Sequence, residues 1–335
     1  MKKILYYISE HGLGHLTRSV GLIRELENEA QIIIRNSNES YLKKSLPLIP
    51  TFSGKTDQGP IMYENSISID WKKTYNIISD WYLNFNSNLE IEYDFIKKSK
   101  PDIVISDISP IPLNVSRKLN IPSIAISNFT WLDVFSKLEN FDLGIIQESY
   151  ENTSFCIKLP LSTRMNIFKQ KKEVGLVCKL PTENNTLIRK KLNIDKSKFL
   201  IFINLPKFFH VKLKNFENYQ VISTGAKTSS KNTIFIEPMI EGQNLINASD
   251  LVVSKCGYGM ISECLTTGTP FQLISDESHP EQNAMLKHLS SYGLDNRILD
   301  WENGNVEIDF NNIRYFESFD NDNLNTKHIV HEFLK

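Results

Sequence analysis

Short apolar runs alternate with longer segments of helical apolar spacing through the first half of the chain. The runs predict strands at residues 4–8, 32–34, 103–105 and 124–126. Helical spacing covers residues 16–26, 71–98 and 111–119. Continuous apolar runs that are separated by helices are typical of parallel strands buried on both faces. The pattern therefore predicts a doubly wound α/β domain.

The second half repeats this alternation of strands and helices. Apolar runs predict strands at 199–203, 220–222, 234–236, 251–253 and 271–274, and helical spacing covers 183–192, 241–247, 260–267, 281–291 and 323–334. We place the domain boundary in the polar and basic stretch 160–172. This predicts a first domain of residues 1–165, a second of 166–319, and a terminal helix in 320–335 that packs back on the first domain. Ligands of such sheets bind at the carboxyl ends of the strands, so we expect a cleft there.

Composition and charge disfavour a nucleic-acid-binding, secreted or membrane-spanning protein, but they do not indicate which reaction an enzyme of this kind would catalyse. The 335 residues are 41% hydrophobic and 23% charged, and the net charge is −1, so we expect no electrostatic pull toward nucleic acid. The four cysteines form no CxxC pair, which favours reduced thiols in a cytoplasmic protein. The apolar run at the N-terminus is too short for a signal peptide, and none reaches the ~18 residues of a membrane-spanning helix.

The most informative segment, residues 254–283, follows the apolar strand-like run 250–253 and begins with a glycine-containing turn and a helix. Backbone N–H groups of Gly257, Tyr258 and Gly259 at such a helix start favour a phosphate, and Lys255 adds a positive charge. Glu263 lies about two turns into the helix, within reach of a ribose. Alternatively, Glu263 is an ordinary solvated carboxylate on the helix surface.

A second pair of polar side chains begins the next helix, after the following strand. Glu281 and Gln282 suit the hydroxyl groups of a sugar in the cleft. The alternative is an ordinary N-terminal helix carboxylate with a neighbouring amide.

The loop after the first strand carries the candidate base. Gly12 and Gly14 allow a tight turn close to a ligand, and His15 follows at the start of a helix. An imidazole there can take a proton from an acceptor hydroxyl near neutral pH; alternatively, it caps the turn or binds phosphate. For His11 we favour a structural or substrate-contact role. A dinucleotide fingerprint is disfavoured, because Thr17 stands where its third glycine is needed.

Asp107 follows another predicted strand of the first domain, so it faces the same cleft. A carboxylate at this position can orient a histidine and stabilise its imidazolium form. Alternatively, Asp107 caps the helix that begins near Pro110, which is an ordinary use of aspartate.

Together these residues resemble the GT-B glycosyltransferases, in the branch of the lipid II-forming N-acetylglucosaminyltransferase and the UDP-dependent glucosyltransferases. The likeness is specific in residues 235–293 and moderately specific in 4–26. It implies two Rossmann-like domains and an inverting, metal-independent transfer without a cofactor. Its donor-binding positions fall on Gly257, Tyr258 and Gly259 for the diphosphate, Lys255 beside it, Glu263 for the ribose, Glu281 and Gln282 for the sugar, and the 236–239 loop with Met239 for the base. Its catalytic histidine and aspartate fall on His15 and Asp107, with His11, Gly12, Gly14 and Arg18 around the acceptor.

Three departures from the family pattern bear on the donor and the acceptor. Met260 replaces a phosphate-binding hydroxyl residue, and Met285 replaces an asparagine. Arg18 stands where the family has a proline. It could contact an anionic acceptor or sugar, or form a structural salt bridge.

We therefore expect a sugar to be moved from a nucleotide, which in the family pattern is UDP, to an acceptor hydroxyl. One alternative is a nucleotide-sugar hydrolase or epimerase, and another is a non-catalytic nucleotide-sugar-binding subunit. The acceptor could be a glycan, a lipid-linked sugar or a small molecule. The aromatic segment 81–85 is either a core helix or a surface for a lipid-linked acceptor, with peripheral contact at the inner face of the membrane.

Overall fold

A computed structural model describes residues 1–213, 218–239, 241–298, 301 and 303–335 of the chain. The first half forms one seven-stranded sheet in which all paired strands are parallel, in the order β3-β2-β1-β4-β5-β6-β7. The strands are β1 Lys3–Ile8, β2 Gln31–Arg35, β3 Thr51–Phe52, β4 Ile103–Asp107, β5 Ser123–Ser127, β6 Phe155–Lys158 and β7 Lys171–Glu173. The four strands predicted from apolar runs are β1, β2, β4 and β5.

Helices cover both faces of this sheet, as its buried strands require. They are α1 Leu13–Leu26, α2 Glu39–Ser45, α3 Trp71–Leu83, α4 Phe85–Ser99, α5 Pro110–Lys118, α6 Trp131–Phe135 and α7 Gly144–Glu151. The single long helix predicted over 71–98 is in fact two helices that meet at Asn84, whose side chain donates to the Asp80 carbonyl at 2.8 Å. Trp81 and Phe85 are buried and pack edge to face, which favours the core interpretation of this aromatic segment.

The second half contains a five-stranded parallel sheet in the order β12-β10-β8-β13-β14 and a small three-stranded one in the order β11-β9-β15. Its strands are β8 Phe199–Asn204, β9 His210–Lys212, β10 Tyr219–Ser223, β11 Lys227–Thr228, β12 Thr233–Phe235, β13 Leu251–Lys255, β14 Phe271–Ile274 and β15 Asn305–Glu307. Its helices are α8 Asn185–Lys191, α9 Gly242–Ala248, α10 Tyr258–Thr267, α11 Pro280–Ser291 and α12 Asn323–Glu332. The five predicted strands and five predicted helices of this half are all present.

Strand register determines which loops meet at the cleft. Ile8 at the end of β1 pairs with Asp107 at the end of β4, so the loop after β1 starts beside that carboxylate. In the second sheet, Lys255 at the end of β13 pairs with Ile274 at the end of β14. The carboxyl ends of these four strands therefore carry the candidate residues of both domains.

The two halves share one hydrophobic core and several polar contacts. A single cluster of buried residues includes Val20 from the first half, Val252 from the second, and Ile329 and Val330 from α12. α12 packs against α1, where Lys327 reaches Glu29 on the turn that follows α1. The domain limits predicted at 165 and 319 remain a prediction, and the first sheet itself ends with β7.

Polar contacts cross between the domains at several places among the described residues. The Ile69 N–H donates to Asp276 Oδ2 at 3.0 Å. Arg24 pairs with Glu241 at 2.7 Å. Asn128 Nδ2 donates to Glu281 Oε1 at 3.0 Å. Among the residues that the structure describes, no helix is long and apolar enough to cross a membrane.

Candidate active site

His15 and Asp107 form a buried pair at the carboxyl edge of the first sheet. His15 lies in the first turn of α1, and its Nδ1 is 2.8 Å from Asp107 Oδ1 at the end of β4. The side chains are 7% and 1% exposed. Burial raises the pKa of Asp107, but the Arg18 charge and the contact with His15 outweigh burial and hold that pKa well below its ordinary value. Asp107 is therefore ionised next to the imidazole.

The alternative role of Asp107 as a helix cap is not what the structure shows. The residue at the N-cap of α5 is Ser109, and both Asp107 oxygens are directed instead at α1. Ser19 also donates to Asp107 Oδ2, at 3.1 Å. The carboxylate is thus held by three side chains of α1.

Arg18 makes the structural salt bridge that was one of its two predicted roles. Its Nε and Nη2 lie 2.8 and 2.5 Å from the two Asp107 oxygens, a side-by-side geometry that suits a guanidinium and a carboxylate. Nη1 donates to Asn128 Oδ1 at 2.6 Å. Only 2% of Arg18 is exposed, so its charge faces protein groups in this conformation.

The four glycines expected at the cleft fall into two pairs. A Cβ added at Gly12 or Gly257 would meet no atom within 4 Å, so these two glycines border open space. A Cβ at Gly259 would lie 3.2 Å from the Gly14 Cα and 2.6 Å from Thr17 Oγ1. Gly14 and Gly259 therefore allow α1 and α10 to pack closely, while Gly12 and Gly257 leave room for a ligand.

The start of α10 offers positive potential on its open side. Gly257 is the N-cap residue and has no side-chain cap, so the first N–H groups of this ten-residue helix are available to an anion. Lys255, two residues earlier, is solvent-exposed. Both features are those expected of a diphosphate site.

Tyr258 and Glu263 face the domain interface and not the open cleft. The Tyr258 hydroxyl accepts from the Val177 N–H at 3.2 Å, and its ring lies under Arg18 at 5.2 Å. Glu263 is four residues after Gly259, on the same face of α10, and is 5% exposed. Its Oε1 is buried without a hydrogen-bond partner among the described residues.

Burial also changes the charge state of Glu263. It raises the pKa of this carboxyl to about 7, with Lys179 opposing and Glu241 adding to the effect. The interpretation of Glu263 as an ordinary solvated carboxylate is therefore wrong. α1 packs on α10 at Gly259, one turn before Glu263.

Glu281 and Gln282 begin α11 as predicted, but they make different contacts. Glu281 Oε1 accepts from Asn128 Nδ2 at 3.0 Å, across the cleft. Gln282 Oε1 accepts from the Asp276 N–H at 2.9 Å and so supports its own loop. Met285 is fully buried, which explains an apolar residue at that position. Met239, about one-third exposed, lies in the loop after β12.

Comparison with known proteins shows what this arrangement is similar to. Residues 2–160 match the family model described as Glycosyl transferase family 1. The solved structure of UGT89C1 from Arabidopsis thaliana, complexed with UDP-L-rhamnose, has 11% identity and a TM-score of 0.61, covering 99% of this chain and 90% of that one. SnogD of Streptomyces nogalater has 13% identity and a TM-score of 0.57, covering 87% and 85%.

The chain has the GT-B fold of the glycosyltransferases. The predicted fold of two Rossmann-like domains is confirmed, whereas the predicted glycosyltransferase class stays a prediction. The finer likeness to the lipid II branch stays a prediction.

A curated protein is also similar to this GT-B chain. L-arabinokinase from Arabidopsis thaliana is 22% identical over 306 residues, which cover 86% of this chain. The same match covers 29% of the relative, so the GT-B chain spans under a third of the length of that protein.

His11 lies in the loop between β1 and α1, on the first-domain side of the cleft. Its ring packs edge to face on Trp131, with centroids 5.4 Å apart. Burial is the main cause that lowers the pKa of His11, and electrostatic repulsion from neighbouring basic groups, Lys255 among them, lowers it further. A neutral, packed imidazole agrees with the structural or contact role predicted for it.

Sequence reasoning missed several polar residues around this centre. Asn128 comes directly after β5, so the rule that identified Asp107 at a strand end would have found it too. Asp57 is buried and accepts from Trp131 Nε1 at 3.0 Å, and burial raises its pKa. His279 is buried at the N-cap of α11. Asp57 lies in a long loop without periodicity, and no sequence signal marks it.

Proposed function

We propose that this GT-B protein moves a sugar from a UDP-sugar to an acceptor hydroxyl, with inversion at the anomeric carbon and without a metal. One observation carries the proposal. The His15–Asp107 pair of the first domain lies at the same cleft as the open, uncapped start of α10 with Gly257 and Lys255. A base and an anion site on opposite walls suit a displacement that takes a proton from one reactant and releases a phosphate from the other.

The chemistry assigns a role to each wall. Nδ1 makes the contacts of the His15 ring to Asp107, so Nε2 is the nitrogen that takes the acceptor proton. The acceptor oxygen attacks the anomeric carbon from the face opposite the phosphate, and the bond from that carbon to the phosphate oxygen breaks. UDP leaves with the electron pair, stabilised by the α10 N-terminus and Lys255. A solved relative of the same fold is complexed with UDP-L-rhamnose, which supports a UDP-linked donor.

Donor binding also requires movement of the two domains. The expected ribose-binding carboxylate, Glu263, is buried in the present conformation, one turn after Gly259, against which Gly14 packs. Separation of α1 from α10 would expose Glu263, and closure over the bound donor would bring His15 to the acceptor.

The first test is a His15→Ala variant, with the exposed His328→Ala on α12 as its matched control. A thermal-shift panel of nucleotides and nucleotide sugars first identifies the donor, because a ligand of the native state raises the melting temperature. We expect His15→Ala to lower kcat by roughly 10²–10⁴-fold, the usual contribution of a general base, and to leave the Kd for UDP nearly unchanged. Turnover by His15→Ala at the wild-type rate would remove His15 from this role.

Product analysis separates the competing functions. Free sugar released from donor alone at the rate of transfer would favour a hydrolase, and an epimerised sugar would favour an epimerase. Donor binding without turnover across a broad acceptor panel would favour a non-catalytic subunit.

A further inference from the structure

His279 is a buried histidine with an unpaired ring nitrogen. It is the N-cap residue of α11 and is 3% exposed, but its side chain does not cap the helix. Its Nδ1 is buried and has no hydrogen-bond partner among the described residues. Buried polar groups in proteins are nearly always hydrogen-bonded, and an exception calls for an explanation such as a role in binding or catalysis. The ring of His279 therefore has a hydrogen-bonding position to offer a ligand.

Strand register places His279 next to the proposed diphosphate site. Lys255 at the end of β13 pairs with Ile274 at the end of β14. Lys255 leads through Gly257 into α10, and the loop 275–279 leads from Ile274 into α11. These helices have ten and twelve residues, and neither has a side-chain cap. Two uncapped helix starts, each with the positive end of its dipole, therefore follow two neighbouring strands of the second domain.

The electrostatic surroundings of His279 show which groups its ring lies among. Burial is the main cause that lowers the pKa of His279, and Lys255 lowers it further. Glu281 and Asp276 act in the opposite direction. The ring also interacts with His11, on the first-domain side of the cleft. The imidazole is therefore neutral near neutral pH, offers one N–H donor, and lies within electrostatic reach of both Lys255 and Glu281.

We propose that His279 is a further donor-binding residue, which donates a hydrogen bond to the distal phosphate of the nucleotide. A ligand whose phosphate lies at Lys255 and whose sugar lies at Glu281 brings that phosphate to His279. When the bond to the anomeric carbon breaks, the phosphate oxygen keeps the electron pair, and an N–H donor already in place stabilises the new charge. The ring keeps its proton throughout. This role of His279 rests on the function proposed above.

Access to His279 follows from the motion that donor binding requires. The ring is buried in the ligand-free protein, so the phosphate reaches it only when the two domains move apart. Closure over the bound donor then gives the unpaired nitrogen its partner.

Titration of the full-length protein with UDP and with UMP tests the contact, because UMP lacks the distal phosphate. His279→Leu removes the donor at nearly constant volume. We expect it to raise the Kd for UDP by about tenfold or more, the usual weight of one hydrogen bond to a charged group, and to leave the Kd for UMP unchanged. His279→Asn, whose amide nitrogen can take the place of Nδ1, should recover part of this loss. An unchanged Kd for UDP in His279→Leu, or an equal loss for UMP and UDP, would overturn the proposal.

A second measurement needs no ligand and uses another histidine of α11 as its control. His288 Nε2 lies 3.1 Å from the Ser162 carbonyl oxygen, so His288 has the partner that His279 lacks. We expect His288→Leu to lower the melting temperature, because it removes a hydrogen bond. His279→Leu should keep or raise it, because an apolar side chain replaces an unpaired polar one. A fall in His279→Leu as large as that in His288→Leu would show that the ring serves the fold and would overturn the proposal.

The two sets of results also separate this role of His279 from the proposed function. If UDP binds the wild type and His279→Leu equally well, only the role of His279 fails. If no nucleotide of the thermal-shift panel binds the wild type, the proposed function fails, and the role of His279 fails with it.

Discussion

At the scale of single residues, the site depends on two buried carboxyls whose pKa values shift in opposite directions, because only one of them has cationic and hydrogen-bonding partners. Asp107 is ionised because Arg18 and His15 surround it. Glu263 has no such partner on Oε1, and burial raises its pKa to about 7. The folded protein therefore favours the neutral form of Glu263 at mildly acidic pH.

This raised pKa predicts a pH-dependent stability. The folded protein holds the Glu263 proton up to about pH 7, whereas the unfolded chain releases it near pH 4.5. Stability from this group is thus fully present below pH 4.5 and falls as pH rises, by at most about 1.4 kcal/mol per unit. Urea unfolding of the wild type and of Glu263→Gln at pH 5, 6, 7 and 8 measures how the free energy of unfolding depends on pH. We expect the advantage of the variant to grow with pH, and the exposed Glu27→Gln to show no such trend. A constant difference would contradict the raised pKa.

His15 and Asp107 could be located from the sequence, because ligand-binding residues follow the carboxyl ends of parallel strands and the strand register brings these two loops together. The same reasoning left the role of Arg18 open, since that role depends on side chains from β4, the loop after β5 and α10. The burial of Glu263 was also invisible, because nothing in the sequence shows that α1 packs on α10.

At the scale of elements, the contact between α1 and α10 depends on Gly259, which lacks room for a side chain. Gly259 faces the backbone of Gly14, whereas Gly257, two residues earlier, faces open space. Gly257 also has an extended backbone, φ −158°, which any residue adopts. Gly257 and Gly259 therefore form a matched pair of positions for testing the contact between α1 and α10.

We predict that Gly259→Ala and Gly257→Ala separate packing from ligand binding. The methyl group of Gly259→Ala meets the Gly14 backbone, so we expect a loss of about 1–3 kcal/mol, as for other overpacked sites. Gly257→Ala should stay within about 0.5 kcal/mol of the wild type and weaken UDP binding by crowding the anion site. Chemical denaturation measures the free energy of unfolding of each variant, and titration with UDP measures its Kd. Equal stability of the two variants would contradict the tight α1–α10 contact.

Apolar periodicity recovered most elements because the buried strands are continuous apolar runs. It missed the break at Asn84, since apolar residues recur with helical spacing on both sides of it. It also missed β9, β11 and β15, which have only two or three residues each and show no period.

At the scale of the whole molecule, the two domains are joined by a shared apolar cluster. The cluster contains strands and helices of both halves, and α12 contributes Ile329 and Val330 to it. Domains with separate cores unfold separately, but a common core links their stabilities.

We therefore predict one cooperative unfolding transition. Tryptophan fluorescence reports mainly on the first domain, which holds Trp71, Trp81 and Trp131, whereas far-ultraviolet circular dichroism reports on both domains. The two thermal curves should coincide. Val330→Asp buries a charge in the shared core and should cost about 3 kcal/mol or more, while the exposed Glu332→Gln should not. Two separated transitions in the wild type would contradict a shared core.

The contact of α1 with α10 has a consequence for nucleotide affinity in the proposed reaction. In the closed form, the protein's own helix competes with the nucleotide for one surface of α10. The apparent affinity for UDP is therefore reduced by the fraction of molecules that are open. We therefore expect a substitution that loosens the contact of α1 with α10 to tighten the binding of UDP and of the UDP-sugar by the same factor.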